Sequence, residues 1–259
     1  MVSDAAWRRF FMLSERYLNK IKPQAAWGKY WRTTTMGVKE SNKTRSIVTA
    51  IIAFAFFLAA AYGRAWLNTN ILSDFSGVML FVMATLAWWI ALAATIFFML
   101  RDKEGLKDIG FTKKNVPMQI LFGVLAAIGS LFIFLIVPEF FGVRMGYSGS
   151  TNIVSILMNL LFALLGVALV EEVVFRGHIF KKLMDFNNSK WFAIIVSSAL
   201  FGLFHIVNGI SIQILMATLI GLFWCICRDK IKHCTLLSLV IAHALHNTFI
   251  PVVTTLFFR

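Results

Sequence analysis

The amino-acid sequence predicts an all-α protein that crosses a membrane several times. Of its 259 residues, 59% are hydrophobic and only 14% are charged, whereas soluble domains average about 45–50% apolar and about 25% charged residues. The mean hydropathy of +0.78 points the same way. Apolar segments near the ~20 residues that span a bilayer recur along the chain. We therefore predict a polytopic transmembrane helix bundle.

Seven apolar segments are the predicted membrane spans. They cover residues 46–62, 77–100, 118–137, 152–178, 191–207, 211–227 and 235–257. An eighth span would result if the last segment were broken at Pro251, because proline lacks the amide donor that a helix interior uses. The transmembrane bundle is expected to occupy residues 46–259.

Residues 1–45 are expected to form a separate, basic segment on the cytoplasmic side. Residues 1–46 carry ten Lys or Arg residues. Apolar side chains recur among them at helical spacing: Trp7, Phe10, Phe11, Tyr17, Leu18 and Ile21. This pattern is typical of a helix that lies in the membrane interface. A loosely ordered basic tail is the alternative.

The net charge of +13 is distributed over loops and is not gathered into one patch. This distribution argues against a nucleic-acid partner. Loops 101–117, 179–190 and 228–234 are rich in Lys and Arg, whereas loops 63–76 and 138–151 hold one arginine each. Since basic loops stay on the cytoplasmic side, we predict a cytoplasmic N-terminus in a multi-pass protein of the bacterial inner (cell) membrane.

Three cysteines lie near the end of the sixth segment, and their odd number argues against a disulfide framework. Cys225, Cys227 and Cys234 together with His233 could in principle bind zinc. The simpler interpretation is apolar thiols at a helix end. We expect no cofactor and no resident metal, with zinc as the alternative.

A run of charges lies near the end of the fourth apolar segment, where ionisable groups are costly and usually mark a working site. Glu172 and Arg176 are four residues apart, so a helix places them on one face as an ion pair. Glu171 lies about 100° away from Glu172 around the helix and is left out of that pair. It is the carboxylate that can act as a general base toward water.

His205 is the predicted partner of Glu171. Asn188, in a turn-like stretch, lies midway between the two residues. If two antiparallel helices fold about this turn, Glu171 and His205 lie at equal depth. This arrangement requires the fourth helix to continue towards Leu183, with Lys181 and Lys182 extending their amines to the membrane surface.

The last apolar segment carries a third polar group. His243 and Asn247 are at i and i+4, so both side chains point one way and could donate hydrogen bonds to an oxyanion. His246 is expected to join or back this face. His178 and His233, near loop lysines, are expected to lie at the membrane interface. The alternative is structural, since polar groups in membrane helices also bond neighbouring helices.

These residues resemble the three motifs of the CAAX-protease and bacteriocin-processing family, also called the CPBP or Abi family. The motifs are Glu-Glu-x-x-x-Arg, Phe-x-x-x-His and His-x-x-x-Asn, and the resemblance covers about residues 106–250, beginning with Leu106–Phe111. It implies an intramembrane endopeptidase in which residues matching Glu171 and His205 activate water. It further implies that residues matching His243 and Asn247 bind the oxyanion. The supporting positions are Glu172, Arg176, Phe201 and His246.

Three alternatives remain beside this hypothesis. The first is a non-catalytic immunity or scaffold protein of the same fold, and the second is a metal-dependent peptidase. A proton-coupled transporter is the third, although no inverted repeat is visible. The expected partners are a peptide or membrane-protein substrate and the lipid bilayer. The family acts on prenylated C-terminal tails, on leader peptides and in bacteriocin self-immunity, and no residue here selects among these.

Overall fold

The computed structural model of the chain describes residues 40–75, 77–143, 149–208 and 211–258. Within these ranges it contains helices and no strand, and seven helical segments are long and apolar enough to cross a membrane. The predicted all-α transmembrane bundle is therefore confirmed. The predicted interfacial helix, whose apolar positions run from Trp7 to Ile21, lies outside the described residues.

The membrane-length helices follow the predicted order. They are α1 Glu40–Asn70, α2 Gly77–Arg101, α3 Val116–Phe140, α4 Ile153–Asn187, α5 Lys190–Phe204, α6 Ser211–Lys230 and α7 Leu236–Phe257. A single 3₁₀ turn, His205–Asn208, follows α5. Pro251 lies inside α7 without ending it, so the eight-span alternative is wrong. Transmembrane helices tolerate proline because neighbouring groups satisfy the freed carbonyl.

Helices α4 and α5 form the hairpin that brings the polar motifs together. Helix α4 continues to Asn187, and Asn188 then adopts a left-handed conformation with φ 51° and ψ 18°. The Oγ of Ser189 accepts a hydrogen bond from the Phe192 amide, 3.3 Å away, at the start of α5. The predicted turn at Asn188 is thus confirmed.

An ion network joins three helices near this hairpin. Lys182 of α4 is 3% exposed, and its Nζ lies 2.6 Å from Asp102 Oδ2 and 2.8 Å from Glu104 Oε1. Arg45 of α1 also pairs with Asp102. Burial works against the charge of Glu104, but the neighbouring basic side chains outweigh it and lower its pKa to about 2. The expectation that Lys182 extends to the membrane surface is therefore wrong, because acidic groups meet its amine inside the protein.

An aromatic cluster packs α1, α2, α4 and α5 against one another. The Phe57 ring centroid lies 5.6 Å from that of Phe175 and 4.9 Å from that of Phe204. Trp88 of α2 lies 5.8 Å from Phe57. These spacings are those of interacting aromatic pairs. The cluster fixes the end of α5, and with it His205, against α4.

Candidate active site

The two neighbouring glutamates lie between irregular turns of α4. The short α-helical stretch Leu169–Glu172 is flanked by π-helical turns at Ala163–Ala168 and Val173–Ile179. Such turns interrupt the regular hydrogen-bond ladder and often occur at functional sites. Glu171 is 3% exposed and Glu172 is fully buried. Buried carboxylates require partners.

Glu172 forms the ion pair that the sequence spacing predicts. Arg176 Nη1 lies 2.9 Å from Glu172 Oε1, and both side chains are fully buried. The guanidinium of Arg176 also lies 3.8 Å from the centre of the Phe201 ring, a cation–π contact. Gly221 of α6 makes room for it, since a Cβ there would lie 2.7 Å from Arg176 Nη2.

His243 of α7 is bound between the two carboxylates. Its Nδ1 donates to Glu172 Oε1 over 2.9 Å, and its Nε2 lies 3.7 Å from Glu171 Oε2. The sequence placed His243 beside Asn247 and gave it no carboxylate partner. Because Nδ1 donates to Glu172, Nε2 can donate to an oxyanion only when the ring carries both protons.

Glu171 and His205 border the same cavity, which has a volume of about 240 Å³. Among the described residues, no hydrogen bond or ion pair joins them, and the buried Glu171 Oε2 has no hydrogen-bond partner. His205 Nδ1 donates to the Phe201 carbonyl oxygen over 2.8 Å. The neutral His205 ring therefore carries its lone pair on Nε2. The cavity is large enough for water, whose share of liquid volume is about 30 Å³.

A second cavity of about 390 Å³ lies on the other side of His205 and Asn247, which border both cavities. His243 and His246 also line it. Asn247 is exposed, whereas His246 is buried and its Nδ1 lies 3.0 Å from Ser130 Oγ. His246 thus supports α7 against α3.

Trp224 of α6 is a polar group of this site that its sequence context does not reveal. It is 1% exposed, and its indole N–H is buried with no acceptor among the described residues. Its ring centroid lies 5.0 Å from that of His243, and it lines the 390 Å³ cavity. A tryptophan in an apolar helix looks like a packing residue, so the sequence gives no signal for it.

Arg228 is a second residue whose role the sequence obscures. It was counted with the basic loop 228–234, but it lies in α6 and is 7% exposed. Its guanidinium donates to the carbonyl oxygen of Arg176 over 2.6 Å and to that of Ile109 over 3.2 Å. Arg228 therefore holds the irregular part of α4 in position.

The other candidate metal ligands remain apart. Within the described ranges, no group of three or more His, Cys, Asp or Glu side chains is arranged to hold a metal ion. Cys225, Cys227 and Cys234 are buried free thiols, while His233 Nδ1 accepts from the Asn115 side-chain amide over 3.2 Å. His178, expected at the interface, is fully buried.

The predicted site residues fall inside a region that matches a known family. Residues 153–249 match the family model described as type II CAAX prenyl endopeptidase Rce1-like, which confirms the resemblance to the CAAX-protease family. The Leu106–Phe111 element lies outside the matched region. No curated protein and no solved structure matches the chain significantly.

Proposed function

We propose that this chain, whose residues 153–249 match the Rce1-like type II CAAX prenyl endopeptidase family model, hydrolyses peptide bonds inside or at the edge of the bilayer. Glu171, with His205 Nε2, takes a proton from water in the 240 Å³ cavity. The resulting hydroxide attacks the peptide carbonyl carbon, so a C–O bond forms. When the C–N bond breaks, the proton on Glu171 passes to the leaving amine.

The observation that carries the proposal is the shared cavity of Glu171 and His205. Both residues line that space, and each has an acceptor atom with no hydrogen-bond partner among the described residues, Oε2 in Glu171 and Nε2 in His205. A water between them could bond both acceptors. A purely structural pair would instead be expected to satisfy its polar atoms directly.

Stabilisation of the oxyanion falls to the polar face of α7. The Asn247 side-chain amide can donate in every protonation state, and the doubly protonated His243 can donate through Nε2. Glu172 and Arg176 act through His243, since Glu172 Oε1 accepts from both of them. They are positioning residues in this mechanism.

The test compares single variants of the full-length protein in lipid nanodiscs and in cells. Glu171→Gln and His205→Ala should lower cleavage of membrane peptides by about 10²- to 10⁴-fold, the usual contribution of a general base. The thermal unfolding midpoint should stay close to that of the wild type. His233→Ala is the matched control, because His233 lies apart from the cavities, and it should keep full activity. Full activity in both Glu171→Gln and His205→Ala would refute the mechanism.

The same variants separate the alternative functions. An immunity or scaffold protein would retain its cellular effect in Glu171→Gln, which a peptidase should not. A metal-dependent peptidase would lose activity on chelation and regain it when zinc is restored, whereas the proposed mechanism predicts unchanged activity.

The proposed substrate is a peptide or a membrane-embedded protein segment. We also propose a bacterial cell membrane as the location, with the N-terminus on the cytoplasmic side. The alternation of basic and non-basic loops supports this orientation.

A further inference from the structure

Arg64 of α1 is a cation at the edge of the candidate active site. It lines the 240 Å³ cavity together with Glu171 and His205. Its guanidinium carbon lies 4.7 Å from the centre of the Trp88 ring, and its buried Nε has no hydrogen-bond partner. Among the described residues, no carboxylate lies within ion-pair distance of Arg64. Arg64 is half-buried near the end of α1, and an ionisable group that faces a cavity of a membrane bundle usually marks a functional site.

Arg64 also borders a third and larger cavity, of about 720 Å³. Arg64 and Phe162 line both this cavity and the 240 Å³ cavity, while His205 and Asn247 line both the 240 Å³ and the 390 Å³ cavities. The three cavities therefore lie side by side in a row, and Glu171 lines the middle one, of 240 Å³. A substrate whose scissile bond lies beside Glu171 can extend past Arg64 on one side.

The charges and polar groups along this route indicate the chemistry of the substrate. Among the described lining residues of the three cavities, Arg64 is the only Lys or Arg. Asn68, Ser155 and Asn159 line the 720 Å³ cavity among apolar side chains. Main-chain amides of a peptide need such hydrogen-bonding partners, whereas an acyl chain does not. The route therefore fits a peptide that carries a negative group near Arg64.

We propose that Arg64 is a specificity-determining residue that binds a carboxylate of the peptide substrate, on the side of the scissile bond that faces the 720 Å³ cavity. The carboxylate comes either from an acidic side chain or from a free C-terminus. Guanidinium–carboxylate hydrogen bonds are among the strong ones in proteins. The proposal rests on the proposed peptidase function. Arg64 lies outside the matched residues 153–249, so the family match does not assign it this role.

The experiment uses matched synthetic peptides and the full-length protein in nanodiscs. A randomised peptide library is made as pairs of peptides, in which one member has Asp and the other has Asn at the same position. Each pair is made once with a free C-terminus and once with a C-terminal amide. Mass spectrometry of the fragments gives relative kcat/KM. We expect the wild type to prefer either the Asp members or the free acids by about tenfold or more, mainly through KM. The two arms distinguish the source of the carboxylate.

Variants assign this preference to Arg64. Arg64→Gln should lower the preference to about one, and Arg64→Lys should retain part of the preference. Lys232→Gln removes one exposed charge away from the cavities and should leave the preference unchanged. Equal rates for matched pairs in the wild type, or an unchanged preference in Arg64→Gln, would overturn the assignment.

Binding separates this proposal from the peptidase mechanism. The same peptides are titrated into Glu171→Gln and into Glu171→Gln/Arg64→Gln, with tryptophan fluorescence as the readout because Trp88 contacts Arg64. Tighter binding of carboxylate-bearing peptides only when Arg64 is present supports the proposal even if the wild type cleaves none of them. In that case the peptidase mechanism alone fails. If both variants bind carboxylate-bearing and neutral peptides with the same affinity, and cleavage does not discriminate between these peptides either, the proposed role of Arg64 is overturned.

Discussion

At the residue scale, Glu172 determines how Arg176 and His243 are arranged. One of its oxygens, Oε1, accepts from Arg176 of the same helix and from His243 of α7, each over 2.9 Å. The carboxylate is fully buried, so both donors compensate a charge that water cannot reach. This single atom therefore fixes His243 relative to α4.

Removing one member of this buried pair should destabilise the protein. We expect Arg176→Ala and Glu172→Gln to lower the free energy of unfolding by about 3–5 kcal/mol, because each leaves an uncompensated charge or donor. Activity should fall with the loss of site geometry. The measurement is denaturant or thermal unfolding in detergent.

The control is an ion pair whose basic member is exposed. Lys190 is 41% exposed and pairs with Asp229, which also lies 3.4 Å from Lys230 Nζ, so Lys190→Ala leaves Asp229 a second base and should cost at most about 1 kcal/mol. Equal costs for Lys190→Ala and Arg176→Ala would mean that Arg176 contributes no more than a surface charge.

Sequence spacing predicts contacts within a helix better than contacts between helices. The pairing of Glu172 with Arg176 follows from a fixed i, i+4 distance. The contact of His243 with Glu172 depends on which face of α7 meets α4, and spacing along one helix does not determine this. For the same reason, Trp224 and Arg64 look like ordinary residues of apolar segments until the cavities are known.

At the scale of the elements, α5 and α6 approach closely through Gly202. A Cβ at Gly202 would overlap Thr218 Oγ1 and lie 2.6 Å from the Ile214 carbonyl oxygen. Small residues allow such approaches between membrane helices. Because Gly202 is next to Phe201 and three residues before His205, this contact determines where His205 lies.

Gly202→Ala should therefore separate α5 from α6. We expect a loss of about 1–3 kcal/mol in the free energy of unfolding, the usual cost of overpacking, together with reduced activity. Gly63→Ala is the matched control, since a Cβ at Gly63 has nothing within 4 Å, and it should be neutral or slightly stabilising. The measurement is the thermal unfolding midpoint of the two variants. If Gly202→Ala lowers this midpoint no more than Gly63→Ala does, the interface between α5 and α6 accommodates the added methyl group.

Helix ends were predicted less well than helix number. The apolar segment 46–62 predicts only the central part of α1, which runs from Glu40 to Asn70. Hydropathy identifies the part of a helix that lies in hydrocarbon, and polar residues such as Asn68 and Thr69 can continue the helix beyond it. The hairpin at Asn188 was predictable because its turn residues interrupt the apolar pattern.

At the scale of the whole molecule, the proposed topology has the two ends of the bundle on opposite sides of the membrane. The seven membrane-length segments found in the described ranges and the alternating basic loops support a proposal in which the α6–α7 loop is cytoplasmic. In this proposal the α1–α2 and α3–α4 loops lie outside.

Cysteine labelling tests this orientation. Wild-type thiols at 225, 227 and 234 are buried, so a membrane-impermeant maleimide should label the unmodified protein weakly in intact cells. Thr69→Cys and Ser150→Cys should be labelled in intact cells, and Lys232→Cys only after lysis, because Thr69, Ser150 and Lys232 are exposed. The reverse pattern would invert the proposed topology.

The ion network around Asp102 has a mechanical consequence for the bundle. Through Arg45, Asp102 and Lys182 it ties α1 and α4 to the end of α2, whereas the 720 Å³ cavity lies between residues of the same three helices farther along, at Arg64, Phe81 and Met158. The three helices are therefore joined by ion pairs at one end and border the cavity toward the other. We expect a substrate of the proposed peptidase to enter at this second end, where the helices can separate without breaking the ion network.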